Sequence, residues 1–246
     1  MTEPESLING YKIPNIIHQT FISTKLPAEI TNIIINNKKI CHNCEFRFYD
    51  DNDCDIFIKN NFEEKIYNAY KSINDVYGAM KADFFRYCVL YKIGGIYLDI
   101  KSIIKVPIFK ILNKDDICLL DIPRNNLEKW RKNSPTYEQW LLIFAPNHPY
   151  LLEMINAVVN YIEIKYEPKI ENYKILNSKQ KILFITGPDS FTQVINKYIK
   201  NNNTNLHRCI DYDKFSKINI LGSRYKNIYT VHNKKHYSQY TESLYK

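Results

Sequence analysis

Three side chains near the middle of the chain have the types and spacing to grip a polar ligand: Asp83, Arg86 and Asp99. Ionised carboxylates accept hydrogen bonds from hydroxyls, and a guanidinium offers a rigid fork of donors. They sit in the stretch Val76 to Pro107, VYGAMKADFFRYCVLYKIGGIYLDIKSIIKVP. On a wheel at about 100° per residue, Val76, Ala79, Met80, Phe84, Tyr87, Leu90, Tyr91 and Ile93 make one broad apolar face, with Gly78, Lys81 and Lys92 opposite. Asp83 falls inside that face and Arg86 at its edge, one turn on. A carboxylate buried alone loses its charge or finds a partner, so something must meet Asp83. An Asp and an Arg at this spacing also form ordinary intrahelical ion pairs; the sequence that follows favours a site.

Gly94 and Gly95 suit a left-handed helix stop. Ile96-Tyr97-Leu98 reads as a short buried strand. Asp99 then stands at its carboxyl end, where open α/β sheets bind ligands. A helix bearing an inward acid and base, followed by a strand tipped with a second acid, describes a polar site at a sheet edge.

The run K-A-D-x-x-R-Y-x-x-L-Y-x-x-G-G-I-Y-L-D, Lys81 to Asp99, resembles glycosyltransferase family 32, the sugar transferases with a D-x-D motif. That family includes α-1,6-mannosyltransferase-like and capsular-polysaccharide enzymes and is related to the clostridial glucosylating toxins. The resemblance implies an α/β fold of the GT-A, Rossmann-like type, with a mixed central sheet flanked by helices. It implies one domain over residues 1–246, whose tail, 232–246, closes the site. It also implies a retaining enzyme that moves a hexose from a UDP- or GDP-linked nucleotide sugar to a glycan, a protein or another hydroxyl acceptor. By the match, Asp83 and Arg86 grip the donor sugar, Tyr97 lies beside the donor, and Asp99 is the first acid of D-x-D. The second acid is replaced: the sequence reads Asp99-Ile100-Lys101.

A divalent cation usually stabilises the departing diphosphate in such enzymes. Mn2+ or Mg2+ wants hard oxygen ligands, for which the resemblance offers Asp99 and the tail. Lys101 weakens that picture and could neutralise the diphosphate itself as a point charge. It shares a side with Asp99 if the strand stays regular.

Three further stretches resemble the family or its toxin relatives. Tyr11 to Phe21, YKIPNIIHQTF, matches the opening strand that carries the nucleotide base site. Phe21 stands where the family commonly has Trp, so its ring is a stacking candidate. His18 is either a ligand-facing group or a satisfied core histidine. The end of the chain, Thr241-Glu242-Ser243-Leu244-Tyr245, resembles the closing segment of the toxin relatives. There a polar residue reaches the metal and a ring covers the donor, which makes Ser243 and Tyr245 candidates and His232 an alternative metal ligand. A frayed polar terminus is the plain alternative. Thr186-Gly187-Pro188 matches a family turn and is read as positioning; Asp189 argues against an anion at the following helix start.

The remaining elements follow from local signals. Pro27 opens a helix to about Ile40, and Glu45 to Tyr49 alternates as a strand. The acidic run Asp50-Asp51-Asn52-Asp53 caps a helix to Phe62; it lacks the Gly and distal Glu of a calcium loop. Glu63 to Ser72 forms a short helix. Strands are expected at Ser102 to Val106, Ile117 to Asp121, Trp140 to Ala145, Ile218 to Ile220 and Ile228 to Val231. Helices are expected from Pro149 to about Tyr166 and from the Thr186 turn to about Lys200. Residues 123–137, with Arg124, Trp130 and Arg131, read as a loop that shapes acceptor choice.

At 246 residues, 45% hydrophobic and 24% charged, the chain has room for one sizeable core. It shows no transmembrane stretch and no signal peptide; the expectation is either a cytoplasmic protein or a trimmed piece of an anchored one, and the native-looking Met1 favours the cytoplasm. A formal charge of +8 suits an anionic partner such as a nucleotide diphosphate. Scattered lysines without a basic aromatic stripe speak against nucleic acid. The six cysteines include Cys41-His42-Asn43-Cys44, which has zinc or redox spacing but no second C-x-x-C to answer it; reduced thiols are expected. A non-catalytic nucleotide-sugar or glycan-binding relative is the alternative to an active transferase, and donor binding without transfer or hydrolysis distinguishes it.

Overall fold

The computed structural model describes residues 10–121, 124–125, 135–169, 176–210, 219–220 and 239–246. His232, the suggested strand at Ile228 to Val231 and most of the loop 123–137 lie outside them. The first half of the chain runs β1 (Ile16–Thr20), α1 (Ala28–Ile40), β2 (Glu45–Tyr49), α2 (Asp51–Asn61), α3 (Glu64–Ser72), α4 (Gly78–Ile93) and β3 (Gly95–Leu98). There follow β4 (Ser102–Ile103), β5 (Cys118–Asp121), β6 (Arg124–Asn125), β7 (Pro135–Thr136) and β8 (Leu141–Phe144). The rest comprises α5 (Pro149–Glu163), α6 (Ser178–Ile185), α7 (Pro188–Asn202), β9 (Arg208–Ile210) and β10 (Asn219–Ile220).

Six strands form one mixed sheet in the order β2-β1-β3-β8-β5-β9. β2, β1 and β3 run parallel, β8 is antiparallel to both β3 and β5, and β9 is parallel to β5. The chain leaves β1 for β2 on one side and returns to β3 on the other. Such a reversal of strand order opens a crevice at the carboxyl ends, here between Thr20 and Asp99. Alternation sorts the strands between two cores. Ile96, Leu98, Leu119, Leu141 and Ile143 pack on one face. Tyr97, Leu120, Leu142 and Phe144 pack on the other, against α4, α5 and α7.

The local signals hold where the chemistry is local. Asp50 accepts from the amides of Asn52 and Asp53 while Asp53 reaches back, a reciprocal capping box on α2. Gly94 and Gly95 both have positive φ, +73° and +99°. Gly94 pairs that φ with an extended ψ of −167°, so it departs from the left-handed helical cap. The demand for glycine is steric as well: a Cβ on Gly95 would lie 2.6 Å from the carbonyl oxygen of Ile16, and one on Gly94 would lie 2.7 Å from the Pro146 ring. β3 can therefore press directly against β1.

Three expectations need revision. α4 has no single apolar face; from Asp83 to Leu90 every residue is buried, because sheet, α5 and α7 enclose it together. β3 stops at Leu98 and the expected strand from Ser102 shrinks to β4, which pairs with β10. Between them the chain turns, the Ser102 amide donating to the Asp99 carbonyl at 2.8 Å. α6 and β9 have no counterpart among the expected elements, although the Asn177–Gln180 capping box that starts α6 is a readable signal.

Candidate active site

A cleft of about 450 Å³ opens at the carboxyl ends of β1 and β3, within the size range of small-ligand sites. It brings together Asp83, Arg86, Tyr97, Asp99, Lys101 and Phe21, which the sequence spreads over 81 positions (101 − 21 + 1). Arg86 is the hub. Its Nη2 lies 3.0 Å from Asp83 Oδ1 and 3.4 Å from Asp99 Oδ1. Its Nη1 donates to the Gln139 carbonyl at 2.8 Å, and the guanidinium lies 4.6 Å from the centre of the Tyr97 ring. One buried cation thus joins a helix acid to a strand-tip acid. A planar fork over an aromatic face does this where a lysine could not.

Asp83 has a second partner from far along the chain. The Thr186 hydroxyl donates to Asp83 Oδ2 at 3.0 Å. Burial pushes the Asp83 carboxyl up to about 6, against the opposing pull of Arg86 and the Thr186 hydrogen bond. The Thr186 turn is itself pinned to α4: its carbonyl accepts from the Tyr87 hydroxyl at 2.6 Å, and Gln139 Nε2 donates to the same hydroxyl. Gly187 packs so tightly on α6 that a Cβ would lie 2.6 Å from the Leu183 Cα. The Thr-Gly-Pro turn therefore positions Asp83, and Pro188 also lines the cleft.

Asp99 is fixed at its backbone, its amide donating to the Trp140 carbonyl at 2.8 Å, while its side chain stays 43% exposed. Asp99 and Lys101 reach the same cleft through the Asp99–Ser102 turn, not through strand alternation. That turn is braced from α1, where buried Asn37 donates to the Ser102 carbonyl and accepts from the Ile104 amide, both at 2.9 Å. Burial pulls the Lys101 ammonium below the ordinary lysine value, and the charge on Asp99 opposes that pull. Tyr97, under Arg86, shares a 2.8 Å hydrogen bond with the Thr20 hydroxyl.

Other sequence candidates lie elsewhere. His18, on β1, is fully buried, 3.0 Å from the Gly94 carbonyl through Nε2 and 3.1 Å from the Tyr49 hydroxyl through Nδ1. Burial lowers it to about 4; it is a neutral core histidine and does not line the cleft. Tyr245 is buried and donates to the Tyr166 carbonyl at 2.9 Å. The Ser243 hydroxyl accepts from the Tyr245 amide at 3.2 Å. Neither residue lines the cleft, because the tail folds back on α3 and the start of α4: Asn74 and Lys246 amides bond the Leu244 and Ser72 carbonyls at 2.9 and 2.8 Å. Among the described tail residues Tyr240 lines the cleft, with Gln139 and Trp140 from the segment before β8. No pattern in the sequence marks these three.

Among the described residues no three His, Cys, Asp or Glu side chains gather to hold a metal ion. Cys41 and Cys44 are free thiols. Asp99 stands at the D-x-D position between two cations, Arg86 and Lys101. A hard cation prefers several oxygen ligands and open carboxylates, so this donor set does not make the two-acid seat that the motif's name describes.

Residues 27–118, which hold Asp83, Arg86 and Asp99, match the family described as glycosyltransferase sugar-binding region containing DXD motif. The chain is 29% identical over 218 residues to the uncharacterized glycosyltransferase L373 of Acanthamoeba polyphaga mimivirus, covering 86% of this chain and 76% of that protein. It is 26% identical over 181 residues to the initiation-specific alpha-1,6-mannosyltransferase of Candida albicans, covering 65% of this chain. The chain spans under half, 46%, of that fungal protein's length. Among solved structures it is similar to the PaToxG glycosyltransferase, with a TM-score of 0.55, 17% identity, and coverage of 77% of this chain and 71% of that one. That likeness supports the α/β fold of GT-A type.

Proposed function

We propose that this chain, a family-32-like glycosyltransferase, moves a hexose from a nucleotide sugar to a hydroxyl acceptor with retained configuration. The observation that carries the reading is the single guanidinium joining Asp83 to Asp99 on the wall of one cleft. In this reading the base stacks on Phe21, the diphosphate lies against Asp99 and Lys101, and the sugar hydroxyls meet Asp83 and Arg86. Asp83 has one oxygen on Arg86 and the other on Thr186, yet a carboxylate has about four lone-pair sites, which leaves room for sugar hydroxyls. Its ties to Arg86 and Thr186 suit it to holding the ring.

The transfer breaks the bond from C1 to the diphosphate oxygen and forms one from C1 to the acceptor oxygen on the same face. The acceptor's proton leaves with the diphosphate. Mannose is the hexose favoured by the name of the fungal relative, and a glycan or a protein is the acceptor class. The cytoplasm is the proposed compartment, a reading supported by six free thiols.

A thermal-shift panel of UDP-glucose, UDP-galactose, UDP-GlcNAc and GDP-mannose, each against its bare nucleotide diphosphate, tests the reading. One nucleotide sugar is expected to raise the melting temperature beyond its diphosphate. A flat response to all four would overturn the proposal. The Asp99-x-Lys101 departure favours one second reading, a relative that binds donor and neither transfers nor hydrolyses it; turnover assays with the binding donor separate the two.

A further inference from the structure

We propose that Lys101 does the electrostatic work of the missing second acid and its cation: its ammonium binds the donor diphosphate directly, so donor binding needs no divalent metal. The inference rests on the nucleotide-sugar reading of the cleft. Three features of the geometry point to it. Lys101 lines the same cleft as Asp99 and Arg86, at the position where the motif would place an acid. The turn that presents it is held from both ends, by the Ser102-to-Asp99 backbone bond and by the Asn37 side chain on Ser102 and Ile104. Ile100, between the two charges, is buried in a small apolar cluster with Ile30 and Ile33. The cation is therefore held on a braced turn and not on a frayed loop.

The charges beside Asp99 argue the same way. Asp83 and Asp99 already share Arg86, and Asp99 also acts on Lys101. At the motif position these are two acids and two bases; farther along the wall Asp51, Asp75 and Glu138 stand against Lys81. A divalent ion beside Asp99 would face Lys101 and Arg86 as like charges, whose repulsion grows as the site loses water. A diphosphate entering the same place is drawn by Arg86 and Lys101 and repelled by Asp99, so the ammonium of Lys101 is the group that must offset that repulsion. Lysine is a compact point charge on a flexible stem, well suited to following phosphate oxygens as they gain charge during departure.

The test is isothermal titration of UDP and of GDP into the full chain, in excess EDTA and separately in Mn2+. Parent, Lys101→Ala, Lys101→Arg and Lys101→Asp are compared, each checked for its melting temperature. The parent should bind one of the two nucleotides with dissociation constants that agree within about threefold with and without metal. Lys101→Ala should weaken binding in EDTA by about tenfold or more, Lys101→Arg should retain most of it, and Lys101→Asp should bind only when Mn2+ is present. Parent binding that requires Mn2+, or Lys101→Ala binding as well as the parent in EDTA, would overturn the inference and leave the donor reading standing. Parent binding to neither nucleotide in either buffer would overturn the donor reading itself.

Discussion

Thr186 and Asp83, 103 residues apart in sequence, share a hydrogen bond of 3.0 Å from hydroxyl to carboxylate Oδ2. That bond stabilises the ionised acid against the burial that pushes it up to about 6; the other charges acting on Asp83 are Arg86 and Asp99. Donor affinity should fall as pH drops through about 6, because a protonated Asp83 releases Arg86. Thr186→Val should move that acid limb upward by about one pH unit, since a hydrogen bond to a charged group contributes roughly 1.5–3 kcal/mol. Thr186→Ser should leave it in place. Titrating donor affinity from pH 5 to 8 reads the shift; identical limbs in parent and Thr186→Val would refute the positioning role.

Arg86 makes contacts that only a guanidinium can make together: Asp83, Asp99, the Gln139 carbonyl and the Tyr97 face. Arg86→Lys keeps the charge and loses the fork. Transfer should fall by about 100-fold or more, as misplacement by an ångström does elsewhere. Steady-state kinetics on the melt-checked variant decide it, and a rate within threefold of the parent would contradict the hub role.

Gly95 combines a φ of +99° with an approach that would leave a Cβ 2.6 Å from the Ile16 carbonyl oxygen. Gly95→Ala should cost about 1–3 kcal/mol of stability. It should also weaken donor binding, because prising β3 from β1 moves Asp99. Urea unfolding and titration together check this; lost stability with unchanged affinity would separate the sheet contact from the site.

His18 contributes to the core as a neutral ring, lowered by burial from 6.5 to about 4. A group depressed in the folded state gives stability that is full above its unfolded value and is lost as pH falls toward the folded one. His18→Gln keeps an amide donor for the Gly94 carbonyl and has no such titration. The parent's advantage over the variant should shrink by about 1–2 kcal/mol between pH 7 and 5, measured by urea midpoints. A gap that stays constant would show that His18 is not held neutral.

How much of this was legible in the sequence divides along physical lines. The Asp83, Arg86 and Asp99 set could be read because helix period, a glycine stop and a strand tip are local features. Phe21 and Lys101 were placed at the cleft by resemblance and by adjacency; the premise of a continuing strand failed for Lys101, and the Asp99–Ser102 turn delivers it instead. His18 could not be decided from its type, since facing ligand or core depends on what Tyr49 and Gly94 do in three dimensions. Gln139 and Tyr240 line the cleft because distant segments converge there, and no periodicity encodes such a meeting. Tyr245 and Ser243 were drawn toward the site by resemblance, whereas backbone bonds to Ser72 and Asn74 carry the tail the other way.

The central claim is that Asp83 and Arg86 hold the sugar of the donor while the diphosphate rests elsewhere in the cleft. Calorimetric titration of the best-binding nucleotide sugar and of its bare diphosphate, in parent and in Asp83→Asn, isolates that contact. The account predicts that the parent binds the nucleotide sugar more tightly than the diphosphate by about tenfold, and that Asp83→Asn erases this difference while its diphosphate affinity stays within about threefold of the parent. An undiminished preference for the nucleotide sugar in a folded Asp83→Asn protein would contradict it.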